Sequence, residues 1–150
     1  MRESVGISAV RTALGRAING TSIVLAVSLG RQRILLTADL EDDHDADLLE
    51  IIPDDGHRWD LLKVAHHGSA YSTSEAFLSA VTPQHSVISV GAENAYDHPS
   101  EETLGRLDAS GTAVHRTDLD GTITFRFSPD GSEIAPILIY LPVMMSGDGH

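Results

Sequence analysis

Short apolar runs are the first pattern in the chain, and they predict strands. Four of the five residues in 61–65 are apolar, and 86–90 is a similar run. Both runs are too short for a helix of ordinary length and predict buried strands. Residues 22–29 and 33–38 flank the turn residues 30–32 and predict a hairpin.

A different pattern, alternation of apolar and polar residues, follows later in the chain. Residues 112–117 and 122–127 alternate in this way around the turn residues 118–121. Alternation on both sides of a turn predicts a second hairpin with one polar face. Residues 134–143 form a last apolar run and predict one more strand.

Helical spacing of apolar residues separates these strands. Residues 40–52 show it and stop at a proline, and residues 72–75 have the spacing of a capping box that begins a second helix. Residues 100–111 run from an N-cap serine to a closing glycine, and the weaker pattern of residues 10–17 indicates a short helix. Strands that alternate with helices predict an α/β domain.

The start of the 40–52 helix is crowded with charge. It carries His44 and five acids, namely Glu41, Asp42, Asp43, Asp45 and Asp47. Acids in a first helical turn complement the helix dipole. The pattern therefore favours a solvated helix start over a cation site, with His44 facing solvent.

The composition narrows the possible partners and cofactors. The chain has 22 acidic and 10 basic residues, a net charge of −12, which opposes binding to phosphate backbones. Nucleic acid is therefore expected as a substrate only if bound metal or a second chain reverses the local field. Cysteine is absent, so any metal must be held by His, Asp or Glu, which suits zinc or manganese.

The length of the chain and its hydropathy limit the number of domains and the cellular location that we expect. A chain of 150 residues is long enough for one domain with a buried core. Its first residues lack the apolar core of a signal peptide, and no apolar run approaches the roughly 20 residues of a membrane span. We therefore expect a cytoplasmic protein without a membrane span.

Polar side chains that can bind metals follow three of the predicted strands. Asp39, the pair His66 and His67, and His98 each lie at or just past the end of an apolar run. If these strands share a sheet, the side chains meet at one edge, where α/β proteins place their chemistry. A carboxylate with imidazoles is a sound partial ligand set for a divalent ion. A hydrogen-bonded histidine pair in a loop is the alternative interpretation of His66 and His67.

Other candidate residues are better explained by structure. His57 lies beside a turn, His85 begins a strand and His115 alternates with an apolar neighbour, so we expect exposed or structural roles. Ser69 lies so close to His67 in sequence that proton transfer between them is geometrically poor. The chain has no G-x-S-x-G elbow, so a serine nucleophile is not favoured.

Five ordered segments of the chain are similar to a known family. They are Asn19-x-x-Ser22-Ile23-Val24-Leu25, Leu35-Leu36-Thr37-Ala38-Asp39-Leu40, Leu62-Lys63-Val64-Ala65-His66-His67-Gly68-Ser69, Tyr96-x-His98-Pro99-Ser100 and Arg116-Thr117-Asp118-x-Asp120-Gly121. Together they resemble the C-terminal half of the metallo-β-lactamase-fold domain of ComEC-type DNA-uptake (competence) proteins. The family pattern has glycine at the position of Ala38, a change that we expect to be tolerated if the backbone there keeps φ negative.

The resemblance implies a fold, an activity and a set of roles. The fold would be a metallo-β-lactamase-like αββα sandwich, C-terminal half only, over residues 19–143, between an N-terminal segment 1–18 and a tail 144–150. The activity would be hydrolysis of phosphodiesters by metal-activated water. Asp39 and His98 match metal-binding residues of the family. His66 and His67 match its HHGS motif, as one ligand or proton donor and one supporting histidine, and their assignment stays open.

One part of the family pattern has no counterpart in this sequence. The main metal-binding motif, HxHxDH or HxDxDH, is absent, because no histidine precedes His44. A two-metal site would then have about half its ligands, and we expect activity only when self-association or a partner chain supplies the missing half. The alternative is a non-catalytic module, a truncated or degenerate copy with a structural or partner-binding role.

Overall fold

The computed structural model describes residues 5–11, 21–52, 56–128 and 134–139. Its strands and helices, in chain order, are β1 Val5–Arg11, β2 Ile23–Leu29, β3 Gln32–Leu36, α1 Asp45–Ile51, β4 Leu61–Lys63, α2 Glu75–Val81, β5 His85–Ile88, α3 Glu101–Ser110, β6 Ala113–Arg116, α4 Thr117–Asp120, β7 Thr122–Phe127 and β8 Ile134–Ile139. Short 3₁₀ turns at Asp42–His44 and Ala65–Gly68 precede α1 and follow β4.

The described strands form one mixed sheet and one small separate sheet. The larger sheet has six strands in the order β1-β2-β3-β4-β5-β6, and β7 pairs with β8 alone. The pairs β1–β2 and β2–β3 are antiparallel, whereas β3, β4, β5 and β6 run parallel. The predicted α/β class is confirmed, and the parallel strands all end at the same edge of the sheet.

Helices α1, α2 and α3 cover one face of the larger sheet. Leu48, Phe77 and Leu107 from the three helices are at most 1% exposed and share one hydrophobic cluster with Leu35 and Leu62 of the central strands. Burying a side chain of this size contributes about 1.5–3 kcal/mol. This cluster fixes the parallel strands that carry the candidate residues.

The opposite face of the sheet is only partly covered. Successive strand residues point to opposite faces, and Leu25, Val27, Ile34 and Leu36 alternate with core residues of β2 and β3. These four side chains are partly exposed, in contrast to the core leucines. An αββα sandwich would place a second sheet here, and that arrangement stays a prediction.

The predicted hairpin between β2 and β3 is confirmed. Leu29 pairs with Gln32, so only Gly30 and Arg31 lie in the turn. Gly30 has φ +60, a left-handed conformation that glycine adopts without a steric penalty. The register brings Leu35 and Ala26 together on the buried face.

Two predictions from the sequence are wrong, the first only in the part that the structure describes. Residues 5–11 form β1 and pair along their length with β2, so residues 10 and 11 of the short helix predicted over 10–17 lie in a strand; residues 12–17 lie outside the described residues. Ladder pairing with a long neighbour outweighs a weak local pattern. The second predicted hairpin does not form either, because β6 pairs in parallel with β5 and β7 pairs with β8.

The residues between β6 and β7 explain the second error. The guanidinium of Arg116 donates to the carboxylate of Asp118 at 2.6 Å, and Arg116 N donates to Asp120 Oδ2 at 2.9 Å. These contacts close a single helical turn, α4, rather than a tight hairpin turn. The last predicted strand is present as β8, whereas residues 140–150 and both proposed domain boundaries, at 18–19 and 143–144, lie outside the described residues.

None of the described helices is long and apolar enough to cross a membrane.

His85 has a structural role, as the sequence indicated, and its partner is His115, which the sequence placed at a strand surface and which is half-buried in the structure. His85 Nδ1 lies 3.1 Å from His115 Nε2, so one ring donates a hydrogen bond to the other. Both rings also contact Phe125 of β7, with centroid separations of 5.5 Å and 5.4 Å. The pair therefore links the larger sheet to the β7–β8 hairpin.

We expect this histidine pair to make the stability of the fold pH-dependent. Burial lowers the pKa of His85 and of His115; His115 and Arg58 lower the His85 value further, and Asp120 partly offsets the shift at His115. Between the lowered pKa values and the ordinary value near 6.5, the unfolded chain binds more protons, so stability falls as the pH falls below about 6.5. Urea unfolding at pH 7.5 and 5.5 measures this loss.

A double variant, His85→Gln with His115→Gln, serves as the control because glutamine does not titrate. Its unfolding free energy should change less than that of the wild type over the same pH interval. An equal change in the two proteins would show that other groups cause the pH dependence.

Candidate active site

The four residues singled out from the sequence lie together at the carboxyl edge of the parallel strands. Asp39 Oδ1 is 3.5 Å from His67 Nε2. The ring of His66 is 6.5 Å from that of His67 and 5.7 Å from that of His98, measured between centroids. Loops after β3, β4 and β5 are thus brought to one place, because these strands are parallel neighbours in the sheet.

The orientation of His67 is set by a contact with the backbone. His67 Nδ1 lies 2.6 Å from the carbonyl oxygen of Ser89, just after β5. A carbonyl can only accept, so Nδ1 carries a proton, and Nε2 is the ring nitrogen that faces Asp39. Metal-binding histidines are commonly fixed by this kind of hydrogen bond.

The turn that carries the histidines has an unusual backbone. His66, His67 and Gly68 have φ values of +45, +54 and +82, so three successive residues are left-handed. Non-glycine residues in this region cost on the order of 1–3 kcal/mol each and persist only where surrounding contacts hold them. Such strain clusters at functional sites.

Hydrogen bonds from three serine residues hold this turn. His66 O accepts from Ser69 N at 2.9 Å, and the hydroxyl of Ser72 donates to Ala65 O at 2.9 Å. Gly68 O accepts from Ser100 N at 2.9 Å, which ties the turn to the start of α3. The histidines therefore sit on a supported scaffold.

Ala38 differs from the expectation based on the sequence. Its φ is +50, not negative, so alanine occupies a left-handed position where the family pattern has glycine. Its carbonyl accepts from Lys63 Nζ at 2.8 Å and from His66 N at 3.0 Å. The hydroxyl of Thr37 also donates to Lys63 O at 2.6 Å, so both Thr37 and Ala38 are hydrogen-bonded to Lys63 of β4.

Lys63 places a half-buried positive charge beside the candidate ligand. Its Nζ is 3.9 Å from Asp39 Oδ1. Burial lowers the pKa of Lys63, and the Asp39 carboxylate partly offsets this. The ammonium therefore contributes positive charge to a site that otherwise belongs to an acidic chain.

His66 has an orphaned ring nitrogen. Its Nδ1 is buried and finds no hydrogen-bond partner within the described part of the chain, and Glu41 Oε1 is the nearby carboxylate at 3.9 Å. Sequence reasoning placed Glu41 in a solvated helix start and missed it. Its position two residues after Asp39 was the available signal.

The acidic segment around Glu41 is less solvated than the sequence suggested. His44 is buried, not solvent-facing, and lies 3.4 Å from an Asp43 oxygen and 3.6 Å from an Asp47 oxygen. Asp45 is also buried, and it accepts a hydrogen bond from Ser74 N at 2.8 Å. Burial raises the pKa of Asp45, and the contacts from Ser74 oppose that rise. These contacts fasten the start of α1 to the start of α2.

His98 completes the edge. Burial, followed by the neighbouring His66 and His67, lowers the pKa of His98, and Asp97 partly offsets this; the lowered pKa favours the neutral ring that binds metals. Pro99, joined to His98 by a cis peptide bond, packs against Gly68. His57 is exposed, as expected.

The arrangement falls short of a complete metal site. Within the described residues, no group of three or more His, Asp or Glu side chains is arranged to hold a metal ion. A groove of about 220 Å³ lies elsewhere, lined by Trp59 before β4 and by Leu49, Ile52 and Thr82. It is separate from the edge that carries the histidines.

Comparison with known proteins finds that the chain is similar to parts of longer proteins, a competence protein among them. No family model matches it. It is 35% identical over 124 residues to ComE operon protein 3 of Bacillus subtilis and 36% identical over 122 residues to Competence protein ComA of Neisseria gonorrhoeae. Competence proteins are among its homologues. Recombination protein 2 of Haemophilus influenzae is also similar, with 36% identity over 119 residues.

The alignments cover most of this chain but only a small part of each relative. The alignments cover 79–83% of this chain but only 15–18% of those three relatives. The chain therefore spans less than a fifth of the length of the curated relatives that it matches. The relatives agree with the resemblance to ComEC-type proteins that the sequence motifs indicate.

Proposed function

We propose that the chain forms part of the active site of a metal-dependent phosphodiester hydrolase. The observation that carries the proposal is the 3.5 Å separation of Asp39 Oδ1 and His67 Nε2. Two ligand atoms at about 2.0–2.1 Å from one tetrahedral zinc ion lie about 3.3–3.4 Å apart, so this pair fits a shared ion. Similarity to competence proteins and to a recombination protein supports a phosphodiester of nucleic acid as the substrate.

Each side chain of the site has a separate role in this proposal. When bound, zinc or manganese supplies Lewis-acid activation of the phosphodiester and of the attacking water. Asp39 and His67 would hold the ion, with His98 as a further ligand once the missing part of the site is present, and Ser89 O accepts from His67 Nδ1 and so leaves Nε2 for the ion. His66 carries the proton to the leaving oxygen, since it adjoins His98 and its buried Nδ1 faces Glu41.

The remaining metal ligands must come from outside the described residues. The described side chains supply too few donors for a two-metal site. We propose that another segment, a second copy or a partner chain supplies the rest and packs on the partly covered face of the sheet. That face carries Leu25, Ile34 and Leu36, which are apolar and partly exposed.

A non-catalytic module is the second candidate. It is favoured by the lack of a three-ligand group among the described residues. In that case the histidine turn would serve packing or partner binding, and Asp39 and His67 would have no shared ligand.

Titration with zinc by isothermal calorimetry tests the two candidates. We expect one site in the wild-type chain, and a loss of affinity of at least about 100-fold in Asp39→Ala and in His67→Ala. Loss of residues that only support a ligand already costs about 10–100-fold, so loss of a ligand itself costs no less.

The controls are residues of the same chemistry away from the edge. Asp43→Ala removes an exposed carboxylate and His57→Ala an exposed imidazole, and both variants should bind zinc as the wild type does. No zinc site in the wild type, or equal affinity in Asp39→Ala, would favour the non-catalytic module.

A further inference from the structure

An exposed aromatic ring lies directly beside the candidate active site. Tyr96 is 78% exposed. Its ring stacks on that of His98, with a centroid separation of 5.9 Å and an angle of 24° between the planes. His98 in turn lies 5.7 Å from His66, so the aromatic surface continues into the site.

The loop that presents Tyr96 is held by one side chain, that of Asn94. Asn94 Oδ1 accepts from Tyr96 N at 3.2 Å and from His98 N at 3.1 Å. Its amide nitrogen donates to Gly91 O at 3.1 Å and to His98 O at 2.7 Å. The backbone that carries both aromatic residues is therefore held in position before any ligand arrives, which lowers the entropic cost of binding.

The charge of the chain restricts which ligand this surface can take. A net charge of −12 opposes attraction of a phosphate backbone, and Asp97 adds an exposed carboxylate next to Tyr96. Stacking of a nucleobase on an aromatic ring does not depend on attraction between opposite charges. A flat, uncharged group is therefore the complementary ligand for the open face of Tyr96.

We propose that Tyr96 is a base-stacking residue, which holds the base of a nucleotide whose phosphodiester lies at Asp39 and His67. The assignment of the phosphodiester rests on the proposed function. Tyr96 would extend the tyrosine–histidine stack by one base and so place the adjoining phosphate at the edge of the sheet. Recognition of this kind selects single-stranded nucleic acid, because bases in a duplex are already stacked on their neighbours.

The experiment compares two oligomers that differ only in their bases. One is an oligothymidylate of roughly 12 nucleotides, and the other has the same backbone with abasic sites; each carries a dye at one end. Fluorescence anisotropy with the zinc-loaded chain should show tighter binding of the thymidylate. Tyr96→Ala should remove this difference, with a loss of about fivefold or more for the thymidylate alone.

Two further variants separate stacking from other effects. Tyr96→Phe keeps the ring and should keep the preference for bases. Tyr71→Ala is the matched control, because Tyr71 is similarly exposed, at 73%, and should leave both affinities unchanged. Equal binding of the two oligomers by the wild type, no binding of either, or an equal loss for both in Tyr96→Ala would overturn the proposal.

Zinc titration of Tyr96→Ala keeps this inference distinct from the proposed function. An unchanged zinc affinity together with no base preference would refute base stacking and leave the metal site intact. Absence of the zinc site together with a Tyr96-dependent base preference, measured without metal, would refute the hydrolase proposal alone.

Discussion

Replacing Gly68 with alanine should destabilise the fold by about 2–5 kcal/mol. The added Cβ would lie 2.6 Å from Pro99 Cβ and 3.2 Å from Pro99 Cα, and neither atom can swing aside as the end of a flexible side chain could. Overpacking of this kind costs about 1–3 kcal/mol, and the φ of +82 at Gly68 adds about 1–2 kcal/mol for a residue with a Cβ. Urea denaturation measures the loss.

The same substitution should also damage the site, because Gly68 and Pro99 bring the His67 and His98 loops into contact. Gly105→Ala is the matched control. A Cβ at Gly105, in the middle of α3, meets nothing within 4 Å, so alanine should be neutral or stabilising by up to about 1 kcal/mol. If Gly68→Ala proves as stable as Gly105→Ala, the close packing described for the two loops is incorrect.

Replacing Arg106 with methionine should cost about 2–3 kcal/mol, the second large effect that we expect. Its guanidinium, on α3, donates to the carbonyls of Ala70, Ser72 and Thr73 at 2.9–3.1 Å and to Thr103 Oγ1 at 2.8 Å. Hydrogen bonds from a charged donor contribute about 1.5–3 kcal/mol, and water can reach the partly exposed group and replace some of them. Chemical denaturation gives the total.

Two other variants place the Arg106 effect in the segment that follows the histidine turn. Arg126→Met removes an exposed guanidinium from β7 and should change stability by no more than about 0.5 kcal/mol. Arg106→Lys keeps the charge but not the fork of donors, so it should recover only part of the loss. Full recovery by lysine would indicate that charge alone, and not the set of carbonyl contacts, stabilises the segment.

The sequence predicts the class of the fold and the convergence of the candidate residues. Asp39, the histidine pair and His98 each follow an apolar run, and parallel neighbours in a sheet end at one edge. That inference needs only local pattern and the geometry of parallel strands. It therefore succeeded without knowledge of any long-range contact.

The distinctions that the sequence could not make all depend on contacts between distant residues. The carbonyl of Ser89, 22 residues away, fixes the ring of His67 and so distinguishes the role of His67 from that of His66. The left-handed Ala38 is held by Lys63, and buried Asp45 is held by the backbone of Ser74, 29 residues away. The missed pairing of β7 with β8 has the same origin, because alternation identifies a strand but not its neighbour.

The carbonyl of Ala38 has a consequence for how this edge can vary in chain length. Because it accepts from both Lys63 Nζ and His66 N, the loop after β3 and the loop after β4 are held in a fixed position relative to each other. Inserting or deleting a residue between Leu36 and Asp39 would shift the carboxylate out of register with the imidazoles. Additional residues would be tolerated better at exposed loop tips away from this edge, where the added backbone can bulge into solvent and the spacing at the edge is preserved.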